Sequence, residues 1–249
     1  IDKYTHKKHF LYINYHGTKK EEFVLKKKII ATILGIILFV AMIGTYLYLK
    51  PKNEDTTTTK ISLAEVTHSA FYAPLYVAIE EGYFKEEGLE IDLILTPGAD
   101  KVAAAVLSND VQIGFAGTES AIYVYDGGEE DYLVTFAGLT KRDGQFIIGK
   151  NENFDWHDLE GKEVLVGRKG GMPALNFLNA LKNSGIDPNK VNLNYSIDFA
   201  SLSGAYIGGS GDYVNLFEPN ATLLEKEGYG TVVASIGELS GEMPYTAFY

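Results

Sequence analysis

After residue 60 the spacing of apolar positions switches repeatedly between two and three-to-four residues. "ISLAEVTH" (61–68) is short and mixed and predicts a strand. Between Tyr72 and Glu87, Leu75, Ala78, Ile79 and Phe84 fall near helical spacing, and Gly88 stops the run. "LEIDLIL" (89–95) alternates apolar and acidic residues, the period of a strand with one buried face. "ADKVAAAVLSND" predicts a helix, "VQIGFAG" a strand, and "TESAIYVYDGG" a helix capped by Thr118 and ended by glycines. "YLVTFAGLT" returns as a strand. Strands and helices alternating at this pitch predict a parallel, doubly wound sheet.

A second series follows. "GQFIIGK" (144–150) is an apolar strand, and "DLEGKEVLVG" leads into "GGMPALNFLNALKNSGI", an amphipathic helix with Pro173 in its first turn. "VNLNYSI", "LSGAYIGGSG", "DYVNLFEP", "NATLLEKEGYG" and "TVVASIGE" continue the alternation. The break near residues 141–150 predicts two α/β lobes joined by extended strands. No internal repeat or heptad pattern is present.

Upstream the pattern is different. Residues 29–49, "IIATILGIILFVAMIGTYLYL", carry no charge over 21 positions. As a helix rising about 1.5 Å per residue, they just span a bilayer's hydrocarbon core. Lys26, Lys27 and Lys28 precede the segment and Tyr46 and Tyr48 lie near its end, so the positive-inside rule puts the N-terminus in the cytoplasm and the body outside. A cleaved signal peptide, cut within "GTYLYLKPKNED", is the rival reading. "PKNEDTTTTK" (51–60) reads as a polar tether. "KKEEF" before Val24 matches what a purine-rich ribosome-binding site yields if translated, so residues 1–23 are expected to be a non-native or disordered leader.

Charge sharpens this division. The first 50 residues hold nine lysines against Asp2, Glu21 and Glu22 and are net +6, leaving −17 for the rest of a chain whose total is −11. An acidic body repels phosphates and argues against nucleic acid. With 46% hydrophobic residues the chain can bury a real core, and without cysteine it has no disulfide, thiolate metal site or cysteine nucleophile.

"AFYAPLYVAIEEGYFKEEGLEIDL" resembles the first helix and second strand of the solute-binding proteins of the nitrate/sulfonate/taurine and thiamine-pyrimidine (SsuA/THI5-like) group. "DVQIGFAGTESAI" is similar to that family's strand-turn-helix facing the ligand, "DLEGKEVLVGRKGGMP" to its entry into the second lobe, and "GDYVNLFEPNATLLEKEG" to its later strand and helix. The resemblance implies an α/β, two-lobe periplasmic-binding-protein-like (type II) fold. The expected organisation is an anchor over 24–50, a linker over 51–60, lobe one over 61–143, lobe two over 144–243, and the start of a return crossing to lobe one over 244–249. Because the family's chain continues past that crossing, "MPYTAFY" at the end leads us to expect a C-terminally truncated, incomplete lobe one.

Ligands of open α/β sheets bind beyond the carboxyl ends of the strands. That rule selects His68, Ser69 and Tyr72 after the first strand, Asp100 after the second, and Thr118 and Glu119 after the third. From lobe two, Arg168, Lys169, Gly170 and Gly171 precede a helix, where glycines let amides approach a ligand and the helix dipole favours negative charge. Asp212 and Tyr213 follow "GGSG", and Glu218 ends an apolar strand, where a carboxylate can accept paired N–H donors. Bland roles compete at each position: a helix cap for Thr118, core packing for Tyr72, a structural histidine at 68, a helix-start charge for Glu218.

No G-x-S-x-G or HExxH is present, and His157 between Asp155 and Asp158 is too local to define a metal site. The family's pyrimidine synthases carry a cysteine-rich motif that this chain lacks, which counts against catalysis. The resemblance therefore implies a membrane-anchored, extracytoplasmic binding protein, without cofactor, that delivers a small molecule to an ABC permease and its ATPase. A thiamine-precursor pyrimidine or similar nitrogen heterocycle is the expected ligand. A sulfonate- or nitrate-type anion binder, and the ligand-sensing ectodomain of a receptor, are the alternatives.

Overall fold

The computed structural model describes residues 26–28, 30–46 and 58–249, in two compact units, Ile1–Thr56 and Thr57–Tyr249. The leader over 1–23, the two ends of the expected anchor and most of the tether lie outside the described residues.

The first unit contains α1 (Lys26–Tyr46), of 21 residues with mean hydropathy 2.4, long and apolar enough to cross a membrane. Its hydroxyls are satisfied within the helix. Thr32 Oγ1 donates to Lys28 O at 2.9 Å and Thr45 Oγ1 to Ala41 O at 2.8 Å, so neither hydroxyl needs water.

The second unit holds two five-stranded sheets. The first sheet contains β1 (Thr59–Glu65), β2 (Leu89–Leu95), β3 (Ile113–Gly117), β4 (Ala137–Arg142) and β10 (Glu242–Phe248), in the order β2-β1-β3-β10-β4. The second contains β5 (Gln145–Gly149), β6 (Glu163–Leu165), β7 (Asn192–Asn194), β8 (Tyr213–Phe217) and β9 (Thr231–Ser235), in the order β7-β6-β8-β5-β9. Each sheet anchors one lobe.

The sheets are mixed rather than parallel throughout. β10 runs antiparallel to β3 and β4, and β5 antiparallel to β8 and β9. The reason is connectivity. β5 and β10 are the strands by which the chain enters one sheet from the other. They start at the facing edges, where β3 and β8 end, and must run the opposite way. The strand expected from Tyr132 begins only at Ala137.

Helices cover both faces. α2 (Ala73–Glu80) and α3 (Tyr83–Glu86) pack Leu75, Ile79 and Phe84 on Leu63 and Phe115. They were expected as one run, but Gly82, at φ 80°, ends one helix and starts the other. α4 (Ala99–Leu107) and α5 (Glu119–Asp126) cover the opposite face with Val102, Ala103 and Ala121. In the second lobe α6 (Met172–Asn183) buries Phe177, Ala180 and Leu181 against Ile147 and Val164. On the other side α7 (Leu202–Ile207) and α8 (Asn220–Lys226) bury Leu202, Tyr206 and Leu224 against Ile148 and Val214. α9 (Ile236–Ser240) leads back into β10.

Candidate functional site

The carboxyl ends of β1, β3 and β8 converge on the seam between the lobes. At the end of β1, Glu65 is buried and organises its surroundings. Its Oε1 lies 2.9 Å from His68 Nδ1, and its Oε2 accepts from the Tyr76 hydroxyl at 2.7 Å. The His68 and Tyr76 rings stack at 4.4 Å, so the imidazole is held from its edge and its face. Ser69 is committed to local structure: its hydroxyl accepts from Phe71 N at 3.2 Å and opens a single turn over Ala70–Tyr72. Tyr72 is buried edge-on to Phe115 at 4.6 Å, and burial drives its phenol well above the usual range.

From β3, Thr118 does not cap α5. Its backbone is already helical, and its hydroxyl donates instead to Pro244 O at 2.7 Å, tying the β3–α5 turn to β10. Glu119, the next residue, is 6% exposed. Its Oε1 accepts from Met172 N, across the seam, at 3.0 Å. Its Oε2 is buried with no partner among the described residues. Burial raises the Glu119 carboxyl above its ordinary value, against the opposing pull of the Met172 amide and of Arg168.

Two more contacts cross the seam beside it. Arg168 pairs with Asp100 at the start of α4, which lowers the Asp100 carboxyl. The Tyr123 hydroxyl donates to Gly170 O at 3.0 Å. Gly170, at φ 78°, turns the chain so that Gly171 can precede α6, while Lys169 stays exposed. A groove of about 360 Å³ runs from these residues between α4 and α5, lined by Ala103, Leu107, Tyr123 and Val124.

An aromatic group fills the middle of the seam. Phe71 from lobe one meets Phe217, at the end of β8, at 5.0 Å and Tyr245 of β10 at 5.7 Å, while Phe199 lies 5.5 Å from Phe217. A Cβ on Gly144 would come within 2.6 Å of the Phe71 ring, so glycine there admits the contact. Tyr245 is buried, and its hydroxyl has no partner among the described residues. Below it, Asp143 sits in the crossing from β4 to β5. It accepts from Gln145 N at 2.7 Å and from Asn176 Nδ2 at 2.7 Å, and Asn176 also reaches Ser240 Oγ at 3.0 Å. Both crossings are thus tied to α6. Asn215, in β8, is fully buried with neither amide atom partnered among the described residues.

The structure therefore brings Tyr72, Asp100, Glu119, Arg168, Gly170 and Gly171 to the seam. It does not bring Asp212 and Tyr213 there. They sit at the amino end of β8, where Asp212 Oδ2 accepts from Glu163 N at 2.9 Å and Tyr213 packs 5.8 Å from Phe154. A strand of this length separates its two ends by roughly 15 Å. Glu218 follows β8 at the correct end, but its carboxylate is engaged by Thr222, from N at 3.1 Å and Oγ1 at 2.7 Å. Glu65, Phe71, Asp143, Asn215 and Tyr245 are not among the candidate site residues chosen from the sequence. Two had a visible trace: a carboxylate at an inward position three residues before His68, and an aromatic directly beside Tyr72. Among the described residues no group of three His, Asp or Glu side chains is placed to hold a metal ion.

Comparison with known proteins meets this geometry from outside. Residues 70–239 match the family described as "NMT1/THI5 like". "Putative binding protein YtlA" of Bacillus subtilis (strain 168) is 50% identical over 198 residues, 78% of this chain and 59% of that protein. The chain thus spans about three-fifths of that relative's length. The 4-amino-5-hydroxymethyl-2-methylpyrimidine phosphate synthase of Aspergillus parasiticus is 29% identical over 113 residues, 43% of this chain and 32% of that protein. The periplasmic aliphatic sulphonate binding protein SsuA from Escherichia coli superposes with a TM-score of 0.62 at 16% identity, covering 76% of this chain and 64% of that one. The last likeness shows a shared fold, that of the periplasmic binding proteins. With the family match extending over most of the two-sheet body, this chain belongs to the NMT1/THI5-like family.

Proposed function

We propose that this chain is the solute-binding component of an ABC-type importer, held at the membrane by α1 with its two-sheet body outside the cytoplasm. One observation carries the reading. Groups from both lobes converge on one seam, and the buried polar atoms there, Glu119 Oε2 and the Tyr245 hydroxyl, have no partner among the described residues. Buried acceptors and donors normally find partners, and a bound solute is the partner this arrangement provides for. A solute that touches both lobes favours the closed form by its differential contacts, and the closed form is what a permease and its ATPase would receive.

A small nitrogen heterocycle of the thiamine-precursor type is the ligand the seam favours. Phe71 and Phe217, half-buried at the seam, leave ring surface for a planar solute, with Tyr72 and Tyr245 buried behind them. The similarity to a pyrimidine phosphate synthase points the same way, although binding without catalysis is our reading. Sulfonate or nitrate is the alternative, supported by the likeness in fold to SsuA and by the loop Arg168–Gly171. A thermal-shift panel of aminopyrimidines, thiamine, taurine and nitrate on the full chain in nanodiscs tests both. Stabilisation by an aminopyrimidine alone is expected; stabilisation by taurine or nitrate alone would return the reading to the anion branch. A pull-down retrieving a kinase in place of a permease would favour a sensory role.

A further inference from the structure

The second lobe carries two features suited to an oxyanion, and in this structure both are already taken. The first is the amino end of α6. This helix of 12 residues has Gly171 as its N-cap, without a side chain to satisfy the first amides, and Pro173 in its first turn. Such an end bears a partial positive charge and free N–H groups and readily holds an anion. Here Glu119 Oε1, from the opposite lobe, accepts from Met172 N at 3.0 Å. The second feature is Arg168, whose guanidinium is paired with Asp100. Lobe one thus presents a carboxylate to each of the two anion-binding groups of lobe two.

Glu119 is built into this position. It is 6% exposed, and its side chain folds back over the last residue of β3, where a Cβ on Gly117 would lie 2.0 Å from Oε2. Only glycine at 117 leaves the room. One oxygen is spent on α6, while the other is buried and has no partner among the described residues. An oxyanion entering the seam would have to expel Glu119 and settle between two carboxylates. A neutral or cationic solute with an N–H group meets an acceptor ready for it.

We propose that Glu119 is the specificity-determining residue of the seam. It fills the anion position at the amino end of α6, excludes oxyanions from it, and selects a solute that donates N–H to its second oxygen. This deepens the solute-binding reading and rests on it.

The test uses the full chain in nanodiscs with two probes, sulfate and 4-amino-5-hydroxymethyl-2-methylpyrimidine, titrated by calorimetry. Glu119→Ala vacates the end of α6 and should bind sulfate at least about tenfold more tightly than wild type. Glu119→Gln keeps the side-chain volume and should bind the pyrimidine at least about tenfold more weakly than wild type. Equal sulfate affinity in wild type and Glu119→Ala overturns the excluding role, whatever the pyrimidine does. Equal pyrimidine affinity in wild type and Glu119→Gln overturns the selecting role. A wild type that binds no aminopyrimidine, with Glu119→Ala still gaining sulfate, removes the heterocycle from the proposed function and leaves the excluding role standing. Should Glu119→Ala lose its cooperative melt, Glu119→Ser gives the same reading, because its hydroxyl is too short to span to Met172.

Discussion

The two lobes follow one plan and finish it differently. In the second, α6 lays a continuous apolar face on the sheet, and the large apolar residues left outside, Ile207, Leu223 and Tyr229, are each less than half exposed. In the first, Ile122, Tyr125, Val134 and Phe136 are each more than 60% exposed. The difference teaches where stability resides. The second lobe keeps its large apolar side chains more than half covered, whereas the first leaves apolar surface exposed that contributes little to folding.

Matched truncations test the contrast most strongly. Phe177→Ala empties a fully buried position in the second core and should cost about 3–5 kcal/mol, read by urea denaturation. Phe136→Ala, at an exposed position, should stay within about 0.5 kcal/mol. Comparable losses at the two sites would break the comparison.

The seam between the lobes gives the next largest effect. Asp143 is buried in the first crossing, and burial pushes its carboxyl up to about 7, against the hydrogen bonds from Asn176 and Gln145. Burial raises the phenol of its ionisable neighbour Tyr245, and the Asp143 charge adds to that. An unfolded aspartate titrates near about 3.9, so the folded state holds this proton more tightly. The resulting stability is fully present below about pH 4, declines as pH rises to about 7, and is flat above that. Relative to Asp143→Asn, wild type should lose a few kcal/mol at most over that window. Parallel pH profiles of the two melting temperatures would contradict the buried, partly protonated carboxyl.

Backbone approach at the seam follows. A Cβ on Gly237 would meet Asp143 O at 2.1 Å, whereas one on Gly138, in β4, meets nothing within 4 Å. Gly237→Ala should cost about 1–3 kcal/mol by overpacking, and Gly138→Ala should be neutral or stabilising by about 0.5–1 kcal/mol. A destabilised Gly138→Ala would mean that lobe one is packed more tightly than its exposed residues indicate.

What the sequence made legible was local. Alternation located β2 to the residue, and helical spacing with Pro173 located α6, because periodicity reports which face a residue presents. It does not report chain direction, so β5 and β10 were missed as antiparallel members whose sense is set by where the chain enters. Nor does it separate the two ends of a strand, which is why Asp212 and Tyr213 stood among the candidates beside Glu218. Glu119 and Arg168 could be picked out as polar residues at element ends. Their partners, Met172 N and Asp100, are 53 and 68 positions away, and only folding brings them together. Phe71 is similar: as a neighbour of Tyr72 it reads as core, and its role follows from Phe217 approaching across the seam.

The smallest effect concerns the pair that closes the rim. Arg168 and Asp100 retain 47% and 65% of their side-chain exposure, so water and salt weaken the attraction, and such pairs contribute about 0–1 kcal/mol. Arg168 lowers the Asp100 carboxyl, so what the pair contributes is present above the unfolded pKa and is lost as pH falls through the lower folded value. Asp100→Asn should therefore leave the urea midpoint almost unchanged at neutral pH. It should instead loosen the seam, since it removes one of the three links beside α6 and leaves the Tyr123–Gly170 and Glu119–Met172 bonds. Small-angle scattering should show a larger mean radius of gyration for Asp100→Asn than for wild type in low salt. The two should converge as salt approaches about 1 M, where screening acts within about 3 Å. A difference that persists in high salt would assign the loosening to lost packing at the rim, not to the lost charge.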